Sequence, residues 1–486
     1  MTVPQNKNQA SNKTQALDSE LLAQFASLVG ERYALFQEDE KAKFLVEWRD
    51  KYVGKSPLIL LPGSVEEVSA IVKLAAKTKT ALVPQGGNTG LVGGQLPDQQ
   101  NCQIVVSLNR MNKIRSVSPT SNSMMLDAGV TLLEAQEAAD SHDRLFPLSL
   151  ASEGSCQIGG NVSSNAGGIQ VLKYGMMRDL VLGLEVVLPS GEIWQGMTDL
   201  RKDNTGYDLK HLFMGAEGTL GIITGATLKL FPNPVERQVG FVGCASLEKL
   251  AEFFSYVSGE TGSFLVAFEM ICRTGIEFVL KHGSQKAEPL EKDFPWYGLI
   301  ELESTKDGLL EGVMEDVLGG ALERGLIEDG VISSSEAQRK KLWALREEMS
   351  AMQKPEGGSI KHDVSVPVAV IPEFIHKGNE LVERMIPGAR PVPFGHFGDG
   401  NIHYNISQPI GMDKQSFLDE WEPLSNAVYD LVLGFGGSIS AEHGIGVMKR
   451  DLLAQKKSSV EMDLMRSIKQ SLDPDNIMNP GKVISL

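Results

Sequence analysis

The stretch that decides the fold is PQGGNTGLVGG at residues 84–94, which places five glycines in eleven residues directly after a predicted strand. Glycine permits turns and close approaches that side chains forbid, so the backbone amides of such a loop can converge on phosphate oxygens. The loop is neither GxGxxG nor GxxxxGK followed by Ser or Thr, so the usual NAD and ATP sites lose support. Taken alone, it is either a phosphate-binding loop or a tight surface turn.

A second glycine-rich loop favours the ligand-binding interpretation. Residues 154–168, GSCQIGGNVSSNAGG, are mainly small residues and side chains that can form hydrogen bonds. An extended ligand that lies against bare backbone requires this composition. Two such loops in one domain predict a dinucleotide site rather than two unrelated turns.

With a third stretch, GAEGTLGII at 215–223, these loops resemble the FAD-binding domain of the vanillyl-alcohol oxidase and p-cresol methylhydroxylase superfamily over about residues 53–232. The resemblance implies that the first loop holds the FAD pyrophosphate, while the second and third line the isoalloxazine and adenine regions. Some members carry a flavin-linked histidine where this chain has Asn88, so non-covalent FAD is expected. The implied cofactor residues are Pro84, Gln85, Gly86, Gly87, Asn88, Thr89, Gly90, Gly94, Pro147, Gly154, Ser155, Gly159, Asn161, Asn165, Gly167, Gly168, Glu217, Gly218, Gly221, Ile223 and Asn479.

Length and patterning predict several domains in an α+β fold. A chain of 486 residues is too long for one hydrophobic core, and the glycine clusters thin out after Pro232 and Pro234. The expected parts are an N-terminal tail with helices at 1–52, a two-part mixed α/β FAD-binding domain of the vanillyl-alcohol oxidase type at 53–232, an α+β substrate- and metal-binding domain at 233–440, and a helical segment at 441–486 that returns to the FAD site.

Hydrophobic periodicity and turn residues give the element predictions. Helices are predicted at 19–36, 65–79, 247–258, 309–325 and 334–354. Strands are predicted at 81–84, 103–108, 184–189, 359–367 and 401–406.

Charge and cysteine content argue against several classes of protein. A net charge of −16 and a pI near 5.1 repel polyanions, which disfavours nucleic acid and electrostatic attachment to a membrane. The four cysteines form no CxxC pair, so neither a cysteine zinc site nor a disulfide framework is expected. The first seventeen residues are predicted to be a loose tail without a secretory signal, and no apolar run reaches the roughly 20 residues of a membrane span. A cytoplasmic protein is expected, with peripheral membrane association left open.

Histidines and carboxylates concentrate in two segments, GHFGDGNIHYN at 395–405 and SAEHG at 440–444. A strand at 401–406 presents His403 on its polar face, a glycine-bounded turn can bring His396 back to that face, and Glu442 can approach from the second segment. Two imidazoles and a carboxylate suit Zn²⁺, or Mn²⁺ or Co²⁺. We therefore predict a metal site at His396, His403 and Glu442, with hydrogen-bonded core residues as the alternative.

Three further residues, Asp399, His211 and His376, receive structural interpretations. Asp399 lies between two glycines and suits a turn. A lone histidine is more often a hydrogen-bonded core residue than a ligand, and this is the expectation for His211 and His376.

The segments GHFGDGNIH and SISAEHGIG together resemble the D-2-hydroxyglutarate dehydrogenase branch of these flavoproteins, and D-lactate and glycolate enzymes carry similar segments. The resemblance implies metal ligation by His396, His403 and Glu442, and substrate contacts from Asn405 and His443. An imidazole with its ordinary pKa titrates near neutral pH, so His443 is the expected general base. Once a metal polarises the substrate hydroxyl, the C2 hydrogen is expected to leave as hydride to flavin N5.

Two cations are candidates for holding an anionic substrate. In the helix predicted at 334–354, Arg346 and Ser350 lie one turn apart beside the buried stripe, and alternation in the strand predicted at 359–367 lets Lys361 face them. From the residues alone, solvated surface charge is the better interpretation. The D-2-hydroxyglutarate branch carries arginine, threonine and lysine at this spacing and binds the distal carboxylate with them. The resemblance therefore implies that role here, and the serine leaves D-2-hydroxyglutarate ranked before D-malate.

The expected partners are a small D-2-hydroxy acid and, by resemblance, electron-transfer flavoprotein or a quinone-linked carrier as electron acceptor, with a homodimer left open. A zinc hydrolase uses the same ligand types, but it has no use for a dinucleotide domain, and HExxH is absent from the sequence. A non-catalytic flavin-binding sensor is the third class, and it would bind ligand without turnover.

Overall fold

The computed structural model describes residues 17–486, so the predicted N-terminal tail lies outside the described residues apart from its last position. Two compact units make up the described chain. The first consists of residues up to Ala166, Met176–Pro232 and His443–Leu486, and the second of Gly167–Gly175 and Asn233–Glu442. Both units contain helices together with largely antiparallel sheets, which confirms the predicted α+β class.

Within residues 17–486 the elements are as follows. The helices are α1 Ser19–Val29, α2 Glu38–Leu45, α3 Val65–Thr78, α4 Leu132–Asp140, α5 Ile158–Ser164, α6 Val171–Tyr174, α7 Met177–Leu180, α8 Lys210–Phe213, α9 Leu247–Thr261, α10 Arg273–His282, α11 Val313–Glu323, α12 Glu336–Glu347, α13 Met349–Met352, α14 Ile371–Met385, α15 Lys414–Asp419, α16 Trp421–Gly434, α17 Arg450–Lys456 and α18 Ser459–Leu472. The strands are β1 Ala34–Leu35, β2 Ile59–Leu60, β3 Ala81–Gln85, β4 Gln103–Ser107, β5 Ile114–Ser118, β6 Ser123–Asp127, β7 Arg144–Leu145, β8 Val181–Val187, β9 Ile193–Gly196, β10 Ile222–Lys229, β11 Phe231–Pro232, β12 Glu236–Cys244, β13 Leu265–Cys272, β14 Trp296–Ser304, β15 Asp329–Ile332, β16 Ser359–Ile360, β17 Asp363–Ser365, β18 Arg390–His396 and β19 Asn401–Ser407.

The first unit contains two main sheets. One has the order β1-β2-β4-β3, with β2 and β3 parallel to β4, and the other is antiparallel with the order β5-β6-β10-β8-β9. Strand β4, QIVVS, is buried at all five positions, as expected for a parallel strand covered on both faces. Helix α3 begins at Ser64, whose hydroxyl accepts the Glu67 N–H at 3.3 Å, and buries Val68, Ile71 and Val72.

The C-terminal segment packs within the first unit. Backbone bonds of 2.8 Å run from Leu82 N–H to the Ile477 carbonyl and from Asn479 N–H to the Leu82 carbonyl, so the chain end pairs alongside β3. From α18, the buried Lys469 ammonium donates to the Thr219 and Met478 carbonyls at 2.8 Å. Residues from His443 onward are thereby tied to the glycine-rich loops.

An antiparallel sheet with the strand order β15-β12-β14-β13-β18-β19-β16 forms the second unit, and β17 also pairs with β19. Its core packs side chains of the sheet and of helices α10 and α12. The largest of them are Phe241, Phe278, Phe294, Tyr297, Trp343 and Phe394. The hairpin of β18 and β19 pairs His396 with Asn401 and Phe394 with His403. Cross-strand partners share a face, so both histidines project from the same side of this sheet.

Several element predictions were wrong in their bounds. The first helix ends at Val29 rather than at residue 36, because Gly30 has φ of +83° and breaks the helical conformation. The predicted helix at 334–354 is two helices, α12 and α13. The predicted strand at 359–367 is interrupted between β16 and β17, where the buried His362 ring bonds the Tyr404 carbonyl at 2.8 Å and the Ser425 hydroxyl at 3.0 Å. Among residues 17–486, no helix combines the length and the apolar composition of a membrane span.

Candidate active site

A cavity in the first unit is lined by all three glycine-rich loops. It encloses about 880 Å³ of space, open solvent at its mouth included. The predicted cofactor residues that line it are Pro84, Gln85, Gly86, Gly87, Asn88, Thr89, Gly90, Gly94, Gly159, Asn161, Glu217, Gly218, Gly221 and Ile223. His443, the candidate base, also lines this cavity.

Close backbone packing explains why these loops are rich in glycine. A Cβ at Gly87 would lie 1.9 Å from the Ser155 carbonyl oxygen, and one at Gly218 would lie 2.4 Å from the Pro84 ring. A Cβ at Gly159 would lie 2.7 Å from the Ala128 side chain. Any side chain at these positions would push the cavity walls apart.

The cavity fits a polar ligand such as FAD. Among the described residues, the Gln85 and Gln157 side-chain oxygens and the Asn161 side-chain nitrogen are buried without a hydrogen-bond partner, and all three residues line the cavity. Buried polar groups normally have partners. A dinucleotide with phosphate, ribose and ring donors and acceptors would satisfy them.

A turn at residues 46–53, here called the strap, holds the first glycine loop from outside. The Asn88 amide donates to the Lys43 carbonyl at 3.1 Å and to the Val46 carbonyl at 2.9 Å, and its backbone is left-handed with φ of +55°. The Arg49 guanidinium donates to the Leu91 carbonyl and, at 2.6 Å, to the buried Glu47 carboxylate. Some members of the resembled superfamily carry a flavin-linked histidine at the position of Asn88. In this chain that position holds an asparagine that is hydrogen bonded to the strap.

Seven residues predicted to bind the cofactor do not line the cavity: Pro147, Gly154, Ser155, Asn165, Gly167, Gly168 and Asn479. Two of them support its walls. The Asn479 amide donates to the Gly94 carbonyl at 2.9 Å and to the Glu217 carbonyl at 2.7 Å, and the Asn165 side chain accepts the Arg178 N–H at 2.9 Å.

The other five have different surroundings. Pro147 is buried, Gly154 and Ser155 are exposed, and Gly168 is a buried residue of the second unit. Gly167 also belongs to the second unit, where a Cβ would lie 2.8 Å from the Glu442 carboxylate. Gly167 therefore leaves room for a predicted metal ligand.

In the second unit, the predicted metal ligands converge. One ligand atom from each of His396, His403 and Glu442 lies within 4.8 Å of the others. The His396 Nε2 atom is 3.9 Å from the Glu442 carboxylate. Two imidazoles and a carboxylate at this spacing suit a first-row divalent cation, so the donor set fits the expected metal.

Glu269, which the sequence interpretation missed, supports this centre. Its carboxylate accepts from His396 Nδ1 at 2.7 Å and from Arg346 Nε at 2.6 Å, and the residue is 1% exposed. Burial alone would raise the pKa of Glu269, but the charges of His396 and Arg346 outweigh it and lower the pKa to about 2. One signal was present in the sequence, since Glu269 is the sole charge in the buried strand LVAFEMIC.

The surroundings raise the pKa of both His396 and Glu442, which favours the charged imidazole and the neutral carboxyl. Burial disfavours the His396 imidazolium, but the Glu269 carboxylate outweighs burial and raises the pKa of His396 to about 9. Burial raises the pKa of Glu442 to about 7. Metal binding requires a neutral imidazole and an ionised carboxylate, so a bound cation would displace these protons.

A second carboxylate, Asp363, fixes the backbone of this centre. One oxygen accepts the Glu442 N–H at 3.0 Å, and the other accepts the Asn401 amide at 2.9 Å. Asp363 is also the cross-strand partner of His403. The segment that carries Glu442 is thus tied to the strand that carries His403.

The predicted anion-binding residues of the second unit lie on α12, on α13 and between β16 and β17. Arg346 is buried on α12, with its guanidinium 4.8 Å from the centre of the Phe394 ring. The Lys361 ammonium donates to the Ser350 carbonyl at 2.8 Å and to its hydroxyl at 2.9 Å. Lys361 lies between β16 and β17, outside both strands, so the strand alternation predicted for it does not apply. Its side chain instead contacts Ser350. Asn405 is buried on β19, two positions after His403.

His211 and His376, the two histidines with a structural interpretation, are hydrogen bonded as expected, but they are surface residues rather than core residues. The His211 ring lies 2.9 Å from the Arg178 guanidinium, and the His376 ring lies 2.8 Å from the Glu248 carboxylate. Both side chains are exposed.

Comparison with known proteins gives consistent matches. Residues 56–196 match a family model described as FAD binding domain, and residues 233–483 match one described as FAD linked oxidases, C-terminal domain. The chain is 38% identical to D-2-hydroxyglutarate–pyruvate transhydrogenase of Saccharomyces cerevisiae, with 96% of this chain and 95% of that protein covered. It is 37% identical to the mitochondrial D-2-hydroxyglutarate dehydrogenase of Arabidopsis thaliana, with 96% and 82% covered.

Solved structures support the fold. Substrate-bound p-cresol methylhydroxylase matches with a TM-score of 0.74 at 17% identity, and the alignment covers 96% of each chain. At this identity the match concerns the fold alone. It confirms the predicted vanillyl-alcohol oxidase type of architecture.

Proposed function

The chain belongs to the D-2-hydroxyglutarate dehydrogenase family of FAD-linked oxidases, and we propose that it oxidises D-2-hydroxyglutarate, and D-malate as second substrate, to the 2-oxo acid. The relatives and the family models confirm the predicted enzyme class, an FAD-dependent 2-hydroxy acid dehydrogenase. The observation that carries the finer proposal is the convergence of His396, His403 and Glu442 within 4.8 Å.

We assign these three residues to a divalent metal, most suitably Zn²⁺. Such an ion, when bound, polarises the C2 hydroxyl and lowers its pKa. His396 donates through Nδ1 to Glu269 at 2.7 Å, which directs Nε2 to the ligand set. Asp363 holds the Glu442 backbone, and Gly167 leaves space for its carboxylate. The chain's own contribution is therefore a set of ligands oriented before substrate arrives.

The distal carboxylate of the substrate is assigned to Arg346, Ser350 and Lys361. A guanidinium binds a carboxylate through two parallel N–H donors. A monocarboxylic substrate has no distal carboxylate to make this contact. The Ser350 hydroxyl is already fixed by Lys361 at 2.9 Å, so the two residues act as one unit. Serine offers the hydroxyl of the expected threonine without its methyl group, and this is why D-malate ranks second rather than being excluded.

We assign to His443 the role of general base, which accepts the proton of the substrate's C2 hydroxyl. It lines the cavity of the first unit and directly follows Glu442 in the chain, so the proposed base and a proposed ligand are separated by one peptide bond. FAD held by the glycine-rich loops would supply the acceptor, at N5, for the C2 hydrogen and its electron pair. The hydroxyl proton passes to His443, so two electrons and two hydrogens leave the substrate and a ketone forms.

The reduced flavin then needs an acceptor. Electron-transfer flavoprotein or a quinone-linked carrier is the proposal from the resemblance. The name of the yeast relative favours a second candidate, pyruvate, which would be reduced at the same substrate site. A stopped-flow experiment that mixes the reduced enzyme with each acceptor separates these possibilities.

His403→Ala and Glu442→Ala test the metal assignment. Either change removes a ligand, so we expect substrate-driven flavin reduction to fall on the order of a thousandfold while FAD remains bound, because loss of metal polarisation costs several kcal/mol. The measurement is anaerobic stopped-flow absorbance together with FAD and metal content. His376→Ala, an exposed histidine of the same unit, is the control. Reduction at the control rate in both variants would refute the assignment.

A further inference from the structure

One buried carboxylate joins two groups to which the proposed function gives separate tasks. Glu269 lies in the middle of β13, and its two oxygens are engaged by different partners, His396 Nδ1 at 2.7 Å and Arg346 Nε at 2.6 Å. His396 is a proposed metal ligand, and Arg346 is a proposed anchor of the distal carboxylate. No other described carboxylate is hydrogen bonded to both.

We propose that Glu269 is a positioning residue that couples the metal centre to the site of the substrate's distal carboxylate, an inference that rests on the proposed function. Through it, the orientation of the imidazole depends on the orientation of the guanidinium. The two ends of a dicarboxylate are thereby held at a fixed separation. This makes Glu269 a determinant of specificity for a dicarboxylate over a monocarboxylate.

The contact with His396 fixes the tautomer of the ring. A carboxylate that accepts from Nδ1–H leaves Nε2 as the metal-binding nitrogen, and Nε2 is the atom that lies 3.9 Å from Glu442. Without Glu269 the ring could protonate either nitrogen and rotate. Removal of such an outer carboxylate typically weakens metal binding about 10- to 100-fold.

The contact with Arg346 fixes the plane of the guanidinium. Glu269 engages Nε, and the Phe394 ring lies 4.8 Å from the guanidinium carbon. A guanidinium has five N–H donors, so this contact leaves both terminal nitrogens for a carboxylate. The side chain is buried, so a carboxylate that it binds is held in one orientation rather than in a set of surface rotamers.

A matched carboxylate on the adjacent strand provides the control. Glu301 lies on β14, in the register Ala267↔Glu301, and is 7% exposed. It accepts from the Trp343 indole N–H and does not contact His396 or Arg346. Glu301→Gln therefore removes a buried charge from the same sheet without touching the coupled pair.

Glu269→Gln tests the proposal. The carboxamide preserves the volume but replaces one carboxylate oxygen with an NH2 donor, so one of the two partners, which engage different oxygens, loses its acceptor. We expect the Zn²⁺ dissociation constant, measured by chelator competition, to rise at least about tenfold. With Zn²⁺ saturating, we expect KM to rise about tenfold for D-2-hydroxyglutarate and to change less than about twofold for D-lactate, a split that a general loss of stability would not produce.

Glu269→Asp is the second variant. It retains both acceptor oxygens on a shorter stem and should restore part of the metal affinity and part of the KM ratio, so the test remains decisive if the glutamine variant does not fold. Glu301→Gln should match the wild type in both readouts.

Two failures are distinguishable. If the wild-type chain binds no metal, the metal assignment is wrong and the coupling with it. If the wild type binds metal and Glu269→Gln has the same metal affinity or the same KM ratio, the coupling alone is refuted.

Discussion

At the scale of single residues, we expect Arg346 to set the preference of the proposed site for a dicarboxylate over a monocarboxylate. The guanidinium is buried, and an ion pair to a carboxylate in such surroundings contributes more than one at the surface. Arg346→Gln should raise KM for D-2-hydroxyglutarate about 10- to 100-fold, since a hydrogen bond to a charged group contributes about 1.5–3 kcal/mol. KM for D-lactate, which has no distal carboxylate, should change little. Steady-state kinetics with both substrates measure the ratio.

Arg339→Gln is the control on the same helix, because Arg339 pairs with Glu301 and Glu336 instead. An equal rise of KM for both substrates in Arg346→Gln would contradict the assigned role.

The sequence could predict the proximity of residues that lie close together along the chain. His403 and Asn405 alternate along one strand, and Arg346 and Ser350 lie one helical turn apart, so periodicity places them together. Glu269 is 127 residues from His396, and their contact depends on the pairing of β13 with β18. A single sequence does not reveal that pairing. The convergence of His396, His403 and Glu442, the proposed metal ligands, was therefore predictable from their residue types, whereas the position of Glu269 beside them was not.

At the scale of elements, the strap at 46–53 completes the glycine-rich loop. It lies before residue 56, where the match to the FAD-binding family model begins. Arg49 is held by the fully buried Glu47 and donates to the Leu91 carbonyl, which fixes the loop that the resemblance assigns to the pyrophosphate. The strap thus ties a segment outside the family match to the cofactor cavity.

Arg49→Ala should weaken FAD binding about tenfold, since one hydrogen bond to a charged donor is lost at the loop. The recovery of flavin fluorescence on dilution measures the dissociation constant. Arg32→Ala, an exposed arginine of the same N-terminal segment, should leave the constant unchanged. If Arg49→Ala binds FAD as tightly as Arg32→Ala, the strap has no part in the site.

Element bounds were less predictable than element types. The predicted helix at 65–79 and the observed α3 nearly coincide, because Ser64 caps its start and Lys79 ends it in a left-handed conformation with φ of +54°. The strand predicted at 359–367 was interrupted by His362, whose ring bonds to the Tyr404 carbonyl. Such a side-chain bond from a distant strand is tertiary and leaves no periodic signal.

At the scale of the whole molecule, the first and third glycine-rich loops belong to one compact unit, and His396, His403 and Glu442 belong to the other. The chain crosses between the units between Glu442 and His443, so a proposed ligand and the proposed base are consecutive residues. The central claim is that flavin reduction in this chain requires both a D-configured 2-hydroxy acid and a divalent metal.

Anaerobic bleaching of the flavin absorbance tests that claim most directly. Purified protein is mixed with D- or L-2-hydroxyglutarate, before and after chelator dialysis, and again after Zn²⁺ is restored. We predict that the D-enantiomer bleaches the flavin, that the L-enantiomer does not, that dialysis abolishes bleaching while FAD stays bound, and that Zn²⁺ restores it. Bleaching that persists after the metal is removed, or that is equal for both enantiomers, would contradict the account.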